Sequence, residues 1–212
     1  GLFAFLLVSL LLSSCTLDNI AAQQDKATGL WGELVGAETF GQSFTSTRDN
    51  LYRIDLGTAT YARANTAPII FHLRVSPSSD GDIVTLTLPA SEIQNDRPTT
   101  IEFEPLKNSA GTAFYFYVES PEATPGNAVT LYVNSYDQYP DGTAYRSEQP
   151  VNADLAFTAY SQEEYTLTSI WGVLSRRVRQ DIGFFICYGA ALLAVLAFLG
   201  VFFHKRHDRG LG

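Results

Sequence analysis

Short segments in which apolar and polar residues alternate recur along most of this chain. Apolar residues occupy every second position, and polar residues lie between them. Because successive side chains of a β-strand point to opposite faces, this period of two predicts half-buried strands. The segments that carry it are 52–56, 69–75, 84–88, 101–104, 114–119, 129–133 and 154–158.

Turn-forming residues separate these segments. Pro, Gly, Asn and Asp are concentrated in 77–81, 108–111, 121–126 and 140–142, and these residue types favour tight turns. Two shorter pieces near 33–35 and 42–45 bring the expected total to about nine strands. We therefore predict a mostly β fold, an antiparallel jelly-roll-like β-sandwich over residues 31–161, followed by a C-terminal transmembrane helix.

The N-terminus is an apolar run that leads to Cys15. The run is shorter than the roughly 20 residues of a membrane span, and it fits the apolar region of a secretory signal. The segment LSSC at 12–15 resembles a bacterial lipobox, in which the cysteine receives the lipid. We predict that residues 1–15 are a signal peptide with lipid attachment at Cys15, or a retained N-terminal anchor. A polar tether over 16–30 is expected to follow.

A second apolar run lies near the C-terminus. Residues 182–203 carry no charge over 22 positions, which is long enough to cross the hydrocarbon of a bilayer. We predict an amphipathic juxtamembrane helix over 162–181 and a basic cytoplasmic tail over 204–212, with the sandwich outside the cytoplasmic membrane of a bacterium. Contacts with the membrane interface are expected from Trp171, Arg176, Arg177 and Arg179. The apolar stripe of the same helix could instead dock a partner's helix.

Charge and cysteine content exclude several classes of function. Residues 16–170 hold 20 acidic and 8 basic residues, and such a surface repels nucleic acid, which we do not expect as a partner. The two cysteines, Cys15 and Cys187, both lie outside the predicted sandwich. Neither a disulfide framework nor a cysteine metal site is therefore expected there. No phosphate-binding glycine loop or dinucleotide fingerprint is present, and we predict no cofactor.

The acidic residues and the one histidine of the sandwich do not form a recognisable catalytic pattern. His72 is interpreted as a surface or sheet-packing residue, because a catalytic triad needs oriented partners. Glu102 and Glu104 share one strand face, where alternation predicts that they face solvent rather than form a glycosidase pair. We expect no enzymatic activity. A minor hypothesis is a calcium site formed by the loop carboxylates of Asp137, Asp141 and Asp154.

Tyrosines are the best candidates for contacts with a ligand or partner, since tyrosine is enriched where proteins bind. Some lie on polar strand faces and others crowd one long loop, and their rings could stack on sugars or on a protein surface. An ordinary sheet surface would also contain them. The strand tyrosines, expected on one non-core face, are Tyr115, Tyr117 and Tyr132, and the loop tyrosines are Tyr136, Tyr139 and Tyr145.

Several segments together resemble a β-sandwich module of bacterial surface proteins. They are GQSFT at 41–45, NLYRIDL at 50–56, FHLR at 71–74, FYFYVESP at 114–121 and DLAF at 154–157. Such modules look like galactose-binding-type carbohydrate modules and are often associated with membrane glycosyltransferases. The resemblance covers about residues 32–160, and it implies a fold rather than particular binding residues.

These observations lead to a functional prediction with an alternative. We predict a non-catalytic, membrane-anchored accessory or scaffold protein, a small subunit of a larger bacterial membrane complex. Its expected partners are membrane lipid and other membrane-protein subunits. The alternative is a carbohydrate-binding module that recognises envelope glycans. A hydrolase would have to depend on His72 or on an acidic pair.

Overall fold

The computed structural model describes residues 15–165 and nine separate helical positions between 183 and 196. The chain divides into two compact units, and the unit Thr16–Glu163 holds the β-structure. Its strands, in chain order, are β1 (Cys15–Gln24), β2 (Gly29–Leu30), β3 (Gly36–Thr45), β4 (Leu51–Ala59), β5 (Ile69–Arg74), β6 (Val84–Leu88), β7 (Arg97–Leu106), β8 (Ala113–Ser120), β9 (Thr130–Asn134), β10 (Ala144–Arg146), β11 (Gln149–Val151), β12 (Asp154–Leu155) and β13 (Phe157–Tyr165). One 3₁₀ turn, Ala90–Glu92, precedes β7.

The strands form two sheets. The seven-stranded sheet has the order β1-β13-β4-β9-β12, with β2 beside β9 and β7 beside β4, and the six-stranded sheet has the order β11-β10-β3-β8-β5-β6. Every pairing for which the register is defined is antiparallel. Successive strands pass repeatedly from one sheet to the other. The predicted mostly β class is confirmed, and two antiparallel sheets fit a β-sandwich.

The hydrophobic core lies between the two sheets. Phe44 and Phe116 of the six-stranded sheet contact Phe157 of the seven-stranded sheet, with ring centroids 5.5 and 5.4 Å apart. All three rings are almost fully buried. Full burial of such a side chain contributes about 1.5–3 kcal/mol, so these aromatic contacts are a main source of cohesion between the sheets.

The strand β4 shows where simple alternation fails. Leu51, Ile54 and Leu56 are buried, whereas Tyr52 is only half-buried. Against β13, Arg53 pairs with Tyr160 and Leu51 pairs with the next residue, Ser161, so Tyr52 is an extra residue in β4 and marks a β-bulge. A bulge adds one residue and changes which side chains face the core, so the expectation that Tyr52 shares a face with Ile54 and Leu56 is wrong.

The predicted tether over 16–30 is also corrected. Residues 15–24 form β1, which pairs with β13, and Gly29–Leu30 form β2. Ala21 and Ala22 of β1 are buried in the core. The polar composition that suggested a tether is compatible with an edge strand, because only one side of such a strand is covered by the sheet.

The membrane predictions fall mostly outside the described residues. This holds for 1–14, for most of 182–203, for the tail and for the four interface residues Trp171, Arg176, Arg177 and Arg179. Cys15 is the first residue of β1, and β13 extends to Tyr165, beyond the predicted end of the sandwich. Among the residues that are described, no helix combines the length and apolar character needed to cross a membrane.

Candidate functional site

A row of ring-bearing residues crosses the outer face of the six-stranded sheet. His72 of β5 pairs with Tyr117 of β8, Tyr117 pairs with Gly41 of β3, and Gly41 pairs with Tyr145 of β10. Residues that are directly opposite on antiparallel strands point to the same face, about 5 Å apart. The four positions therefore form one line on the side of the sheet that faces away from the core.

Gly41 leaves a gap in this row, and Tyr115 fills it. A Cβ atom at position 41 would lie 2.7 Å from two carbons of the Tyr115 ring, so only glycine leaves room for the ring. The Tyr115 and Tyr145 rings meet edge to face with centroids 5.1 Å apart, and Tyr117 lies 5.8 Å from Tyr115. Tyr115 is only 3% exposed, and its burial raises the pKa of the phenol well above its usual value.

His72 is held inside this face by stacking and by two carboxylates. Its ring is parallel to that of Tyr117 at 4.3 Å. The Nδ1 atom lies 2.7 Å from Asp82 Oδ2, and the Nε2 atom lies 3.4 Å from Glu119 Oε1. Neither ring nitrogen meets a hydroxyl in the described part of the chain, so the geometry of a hydrolytic triad is not formed around His72. The residue packs within the sheet, as its sequence position suggested.

Asp82 connects three side chains of β5 and β6. It accepts hydrogen bonds from Arg74 Nε at 2.5 Å, from His72 and from Thr85 Oγ1 at 3.1 Å. Burial alone would raise the pKa of Asp82, but these hydrogen bonds outweigh it and hold the pKa below its ordinary value. Arg74 also donates from Nη2 to the Tyr117 hydroxyl at 2.8 Å. Sequence reasoning missed Asp82, because it lies in a turn without any recognisable motif.

A small cleft, with room for about one water molecule, opens beside these residues. One of its walls is Glu148, which lies in the two-residue turn between β10 and β11. The φ angles of Ser147 and Glu148 are +46° and +64°, in the left-handed region that Gly and Asn usually occupy in such hairpins. Each such residue costs on the order of 1–3 kcal/mol, and strain of this kind is concentrated at functional sites. The residues that line the cleft are Thr39, Arg74, Pro77, Tyr115, Tyr117 and Glu148.

The structure separates the six predicted tyrosines. Tyr115, Tyr117 and Tyr145 come together on one face, but Tyr132 lies in the other sheet, where its hydroxyl donates to Asp96. The expectation of one shared face for Tyr115, Tyr117 and Tyr132 is wrong, because β8 and β9 belong to different sheets.

The predicted loop cluster is not formed either. Tyr139 turns inward and meets Phe157 edge to face at 5.6 Å. Tyr145 belongs to β10 rather than to the loop. Tyr136 is 64% exposed and does not line the cleft.

The acidic residues considered in the sequence have structural or exposed positions. Asp154 is fully buried and accepts hydrogen bonds from the backbone N–H groups of Gln138 and Tyr139 at 2.8 and 2.9 Å. Over the described residues, no three His, Cys, Asp or Glu side chains are placed to hold a metal ion. The calcium hypothesis therefore finds no support in Asp154, which is already used by the loop. Glu102 and Glu104 are both exposed on β7, as alternation predicted.

Comparison with known proteins gives only weak likenesses. No family model matches the sequence, and no curated protein matches it. A family 35 carbohydrate-binding module from an environmental isolate aligns with a TM-score of 0.28 at 10% identity, over 73% of this chain and 90% of that one. A ruminal GH26 endo-β-1,4-mannanase aligns with a TM-score of 0.27 at 12% identity, over 73% of this chain and 26% of that one.

A tobacco streak virus coat protein gives a similar result, with a TM-score of 0.24 at 9% identity, over 70% of this chain and 85% of that one. Likenesses at this level define neither a family nor a function. The resemblance to modules associated with membrane glycosyltransferases stays a prediction. What can be said of function comes from the geometry of the cleft.

Proposed function

We propose that this protein is a non-catalytic recognition module that binds a saccharide across the mouth of the cleft, on the outer face of the six-stranded sheet. The observation that carries the proposal is that Arg74 and Glu148 line one cleft together with Tyr115 and Tyr117. A guanidinium only donates hydrogen bonds and a carboxylate only accepts them, so the pair can hold two neighbouring sugar hydroxyls. Tyr117, which is partly exposed, supplies a ring at the rim, and Tyr115 lies beneath it as a buried floor. Ligand sites combine such apolar groups with a few convergent polar ones.

The charges favour a neutral saccharide over an acidic one. Arg74 is already paired with Asp82, whereas Glu148 has no ion-pair partner among the described residues. Glu119, on the same face as Tyr117, adds a further negative charge beside His72. The whole chain has a net charge of −8. A uronate or sulfate group would be repelled by this field, but an uncharged sugar would not.

Titration calorimetry on the full chain tests this proposal. The protein is purified in a detergent without a sugar head group and is titrated with neutral hexose oligosaccharides and with matched uronate oligosaccharides. We expect binding of the neutral ligand. Glu148→Gln should weaken it about 10- to 100-fold, because a hydrogen bond to a charged group contributes about 1.5–3 kcal/mol. Glu122→Gln, at an exposed position away from the cleft, is the matched control and should bind as the wild type does. Absence of binding to any oligosaccharide, or unchanged binding by Glu148→Gln, would refute the proposal.

Tyrosine variants distinguish the cleft from the loop that the sequence favoured. Tyr145→Ala removes the ring that supports Tyr115 and should weaken saccharide binding, whereas Tyr136→Ala should leave it unchanged. Loss of binding only in Tyr136→Ala would move the site to the loop between β9 and β10. Tyr139→Ala is not informative for binding, since Tyr139 packs against the core.

We further propose that the module is presented at a membrane by its C-terminal apolar segment. The uncharged stretch 182–203 supports this. Its described apolar positions, Ile186, Leu192, Leu193, Val195 and Leu196, are helical and at least half exposed. An exposed apolar helix requires cover by lipid or by protein. The full chain should therefore stay in the membrane fraction after an alkaline carbonate wash, and Leu193→Arg combined with Leu196→Arg should release it. Release of the wild type would contradict anchoring without affecting the cleft.

A further inference from the structure

The strand β6 is an edge strand that lacks the features by which other edges are protected. It pairs with β5, and on its other side no backbone hydrogen bond is formed by the described residues. Proteins usually block such edges with charges, prolines or very short strands. β6 has the sequence VTLTL, with neither a charge nor a proline. Its backbone is therefore open to pairing with another strand.

The other edge strands of the two sheets are short or contain a proline or a charge. β7 contains Pro98 and Pro105 and also two exposed glutamates. β11 is three residues long and contains Pro150, and β12 and β2 are two residues each. β1 has one charge, Asp18, whose carboxylate is bound by Arg53 and by the Tyr52 hydroxyl. Among the edge strands of the described sheets, only β6 has neither a charge nor a proline and is longer than two residues.

The sequence of β6 is nearly symmetrical about its centre. If two copies pair antiparallel with Leu86 opposite Leu86 of the second copy, Thr85 lies opposite Thr87 and Val84 lies opposite Leu88. Every residue then meets one of like polarity, and Thr–Thr pairs are favourable across strands. A slip of one residue would place apolar side chains opposite threonines and on the wrong face. The pattern thus excludes slips by an odd number of residues, and among the remaining registers the symmetrical one pairs all five residues of β6.

The apolar side of β6 also needs cover. Val84, Leu86 and Leu88 pack against the core but are only partly buried, and Ile83 just before them is 42% exposed. A second β6 would extend the sheet over these side chains and remove apolar surface from water. The backbone ladder would add about four to six hydrogen bonds.

We propose that two copies of this chain associate through antiparallel β6–β6 pairing, which joins their six-stranded sheets into one continuous sheet. Such pairing is isologous, with the same surface patch on both subunits. The two-fold axis is perpendicular to the sheet, so the outer faces of both copies lie on the same side. Dimerisation does not depend on the proposed function. If that function holds, two clefts on one face would bind a polymeric saccharide with avidity.

Charge variants at the two outward threonines test the proposed register by light scattering on the full chain. The wild type should show a concentration-dependent dimer. Thr85→Lys combined with Thr87→Lys places like charges opposite each other and should raise the dimer Kd at least about tenfold. Thr85→Lys combined with Thr87→Glu is the matched control, because opposite charges then face each other, and it should dimerise again. Thr100→Lys on the edge strand β7 should have no effect.

Cross-linking gives an independent measurement of the same register. In a background of Cys15→Ser and Cys187→Ser, Thr85→Cys combined with Thr87→Cys should form a disulfide-linked dimer. Thr85→Cys alone should not form a disulfide-linked dimer. In the proposed register the two copies of position 85 lie diagonally across the strand pair, about 7–8 Å apart, whereas a disulfide needs Cβ atoms about 3.5–4.5 Å apart.

Three results would overturn the proposal. They are a monomeric wild type at every concentration, a dimer that survives the double lysine variant, and equal cross-linking by the single and double cysteine variants. Survival of the double lysine dimer would show that the chains associate elsewhere. Thermal unfolding of each variant confirms that it is folded before its mass is interpreted.

Discussion

Single side chains decide whether the outer face of the six-stranded sheet is an ordinary solvated surface or a cleft. Gly41 makes room for Tyr115, and Tyr115 becomes a buried floor. His72 stacks on Tyr117 rather than facing solvent. Asp82 then fixes the orientation of both His72 and Arg74. These contacts bury parts of the side chains around the cleft and hold them in place.

The role of Asp82 predicts a pH dependence of stability. Its folded-state pKa is lowered, so its contribution to stability is present above the ordinary pKa of an aspartate and is lost as the pH falls through the lower folded value. Asp82→Asn should therefore be less stable than the wild type at neutral pH, and the difference should shrink in acid. Urea unfolding between neutral pH and about pH 2.5 measures this.

Asp80→Asn is the control for that measurement, since Asp80 is exposed in the same loop. It should follow the wild type over the whole pH range. A constant difference between Asp82→Asn and the wild type at every pH would mean that the carboxylate charge of Asp82 does not stabilise the fold.

At the scale of elements, turns and bulges place the functional groups. The bulge in β4 against β13 turns Tyr52 away from the core face that Ile54 and Leu56 share. The tight turn between β10 and β11 puts Glu148 at the cleft, at the cost of two residues with positive φ. Positive φ at both positions follows from the two-residue turn, and non-glycine residues adopt it at several other places in the described chain.

Substitution of Glu148 by glycine separates strain from binding. Glycine adopts positive φ without a Cβ penalty, although it loses more entropy on folding. Glu148→Gly should therefore stabilise the protein by roughly 1 kcal/mol, seen as an increase of about 2–4 °C in Tm, while saccharide binding is lost. Glu148→Gln keeps the strain and should weaken binding with no gain in stability. If Glu148→Gly were destabilised, the turn would not be strained.

At the scale of the whole molecule, a buried polar link joins the two sheets. Gln42 of the six-stranded sheet donates from Nε2 to Asp154 Oδ1 at 3.3 Å, and its Oε1 accepts from the Leu155 N–H at 2.9 Å. Asp154 also accepts from two N–H groups of the loop after β9. Gln42 and Asp154 are both fully buried. This link fixes the position of β12, and with it the loop, against the opposite sheet.

Removal of the link should destabilise the whole sandwich. Asp154→Ala leaves buried donors without partners and should cost about 3 kcal/mol or more, because each unsatisfied buried group costs about 1–3 kcal/mol. In a double-mutant cycle, Gln42→Ala and Asp154→Ala should show coupling of about 0.5–3 kcal/mol. Urea unfolding is the measurement, and Asp137→Ala, at an exposed loop position, is the control. Strict additivity would show that the two side chains act independently.

Local features of the sequence determined the class of fold and most of the core. Period-two alternation identified Ile54, Leu73, Phe116 and Leu131 as core residues, and all four are buried. The turn residues marked most strand ends. This information is local, since each strand's alternation records which of its own faces is covered. It was also sufficient to place Glu102 and Glu104 in solvent.

Only the tertiary structure decided which strands share a sheet, and therefore which side chains meet. Tyr115 and Tyr132 have the same local pattern, but β8 and β9 lie in opposite sheets. Glu148 reaches the cleft from about 30 residues beyond Tyr117 in sequence, through the pairing of β10 with β3 and of β3 with β8. The hydrogen-bond partners of a strand are chosen by contacts far away in sequence. The sequence alone therefore determined the faces of the strands, and the pairing of the strands determined the candidate site.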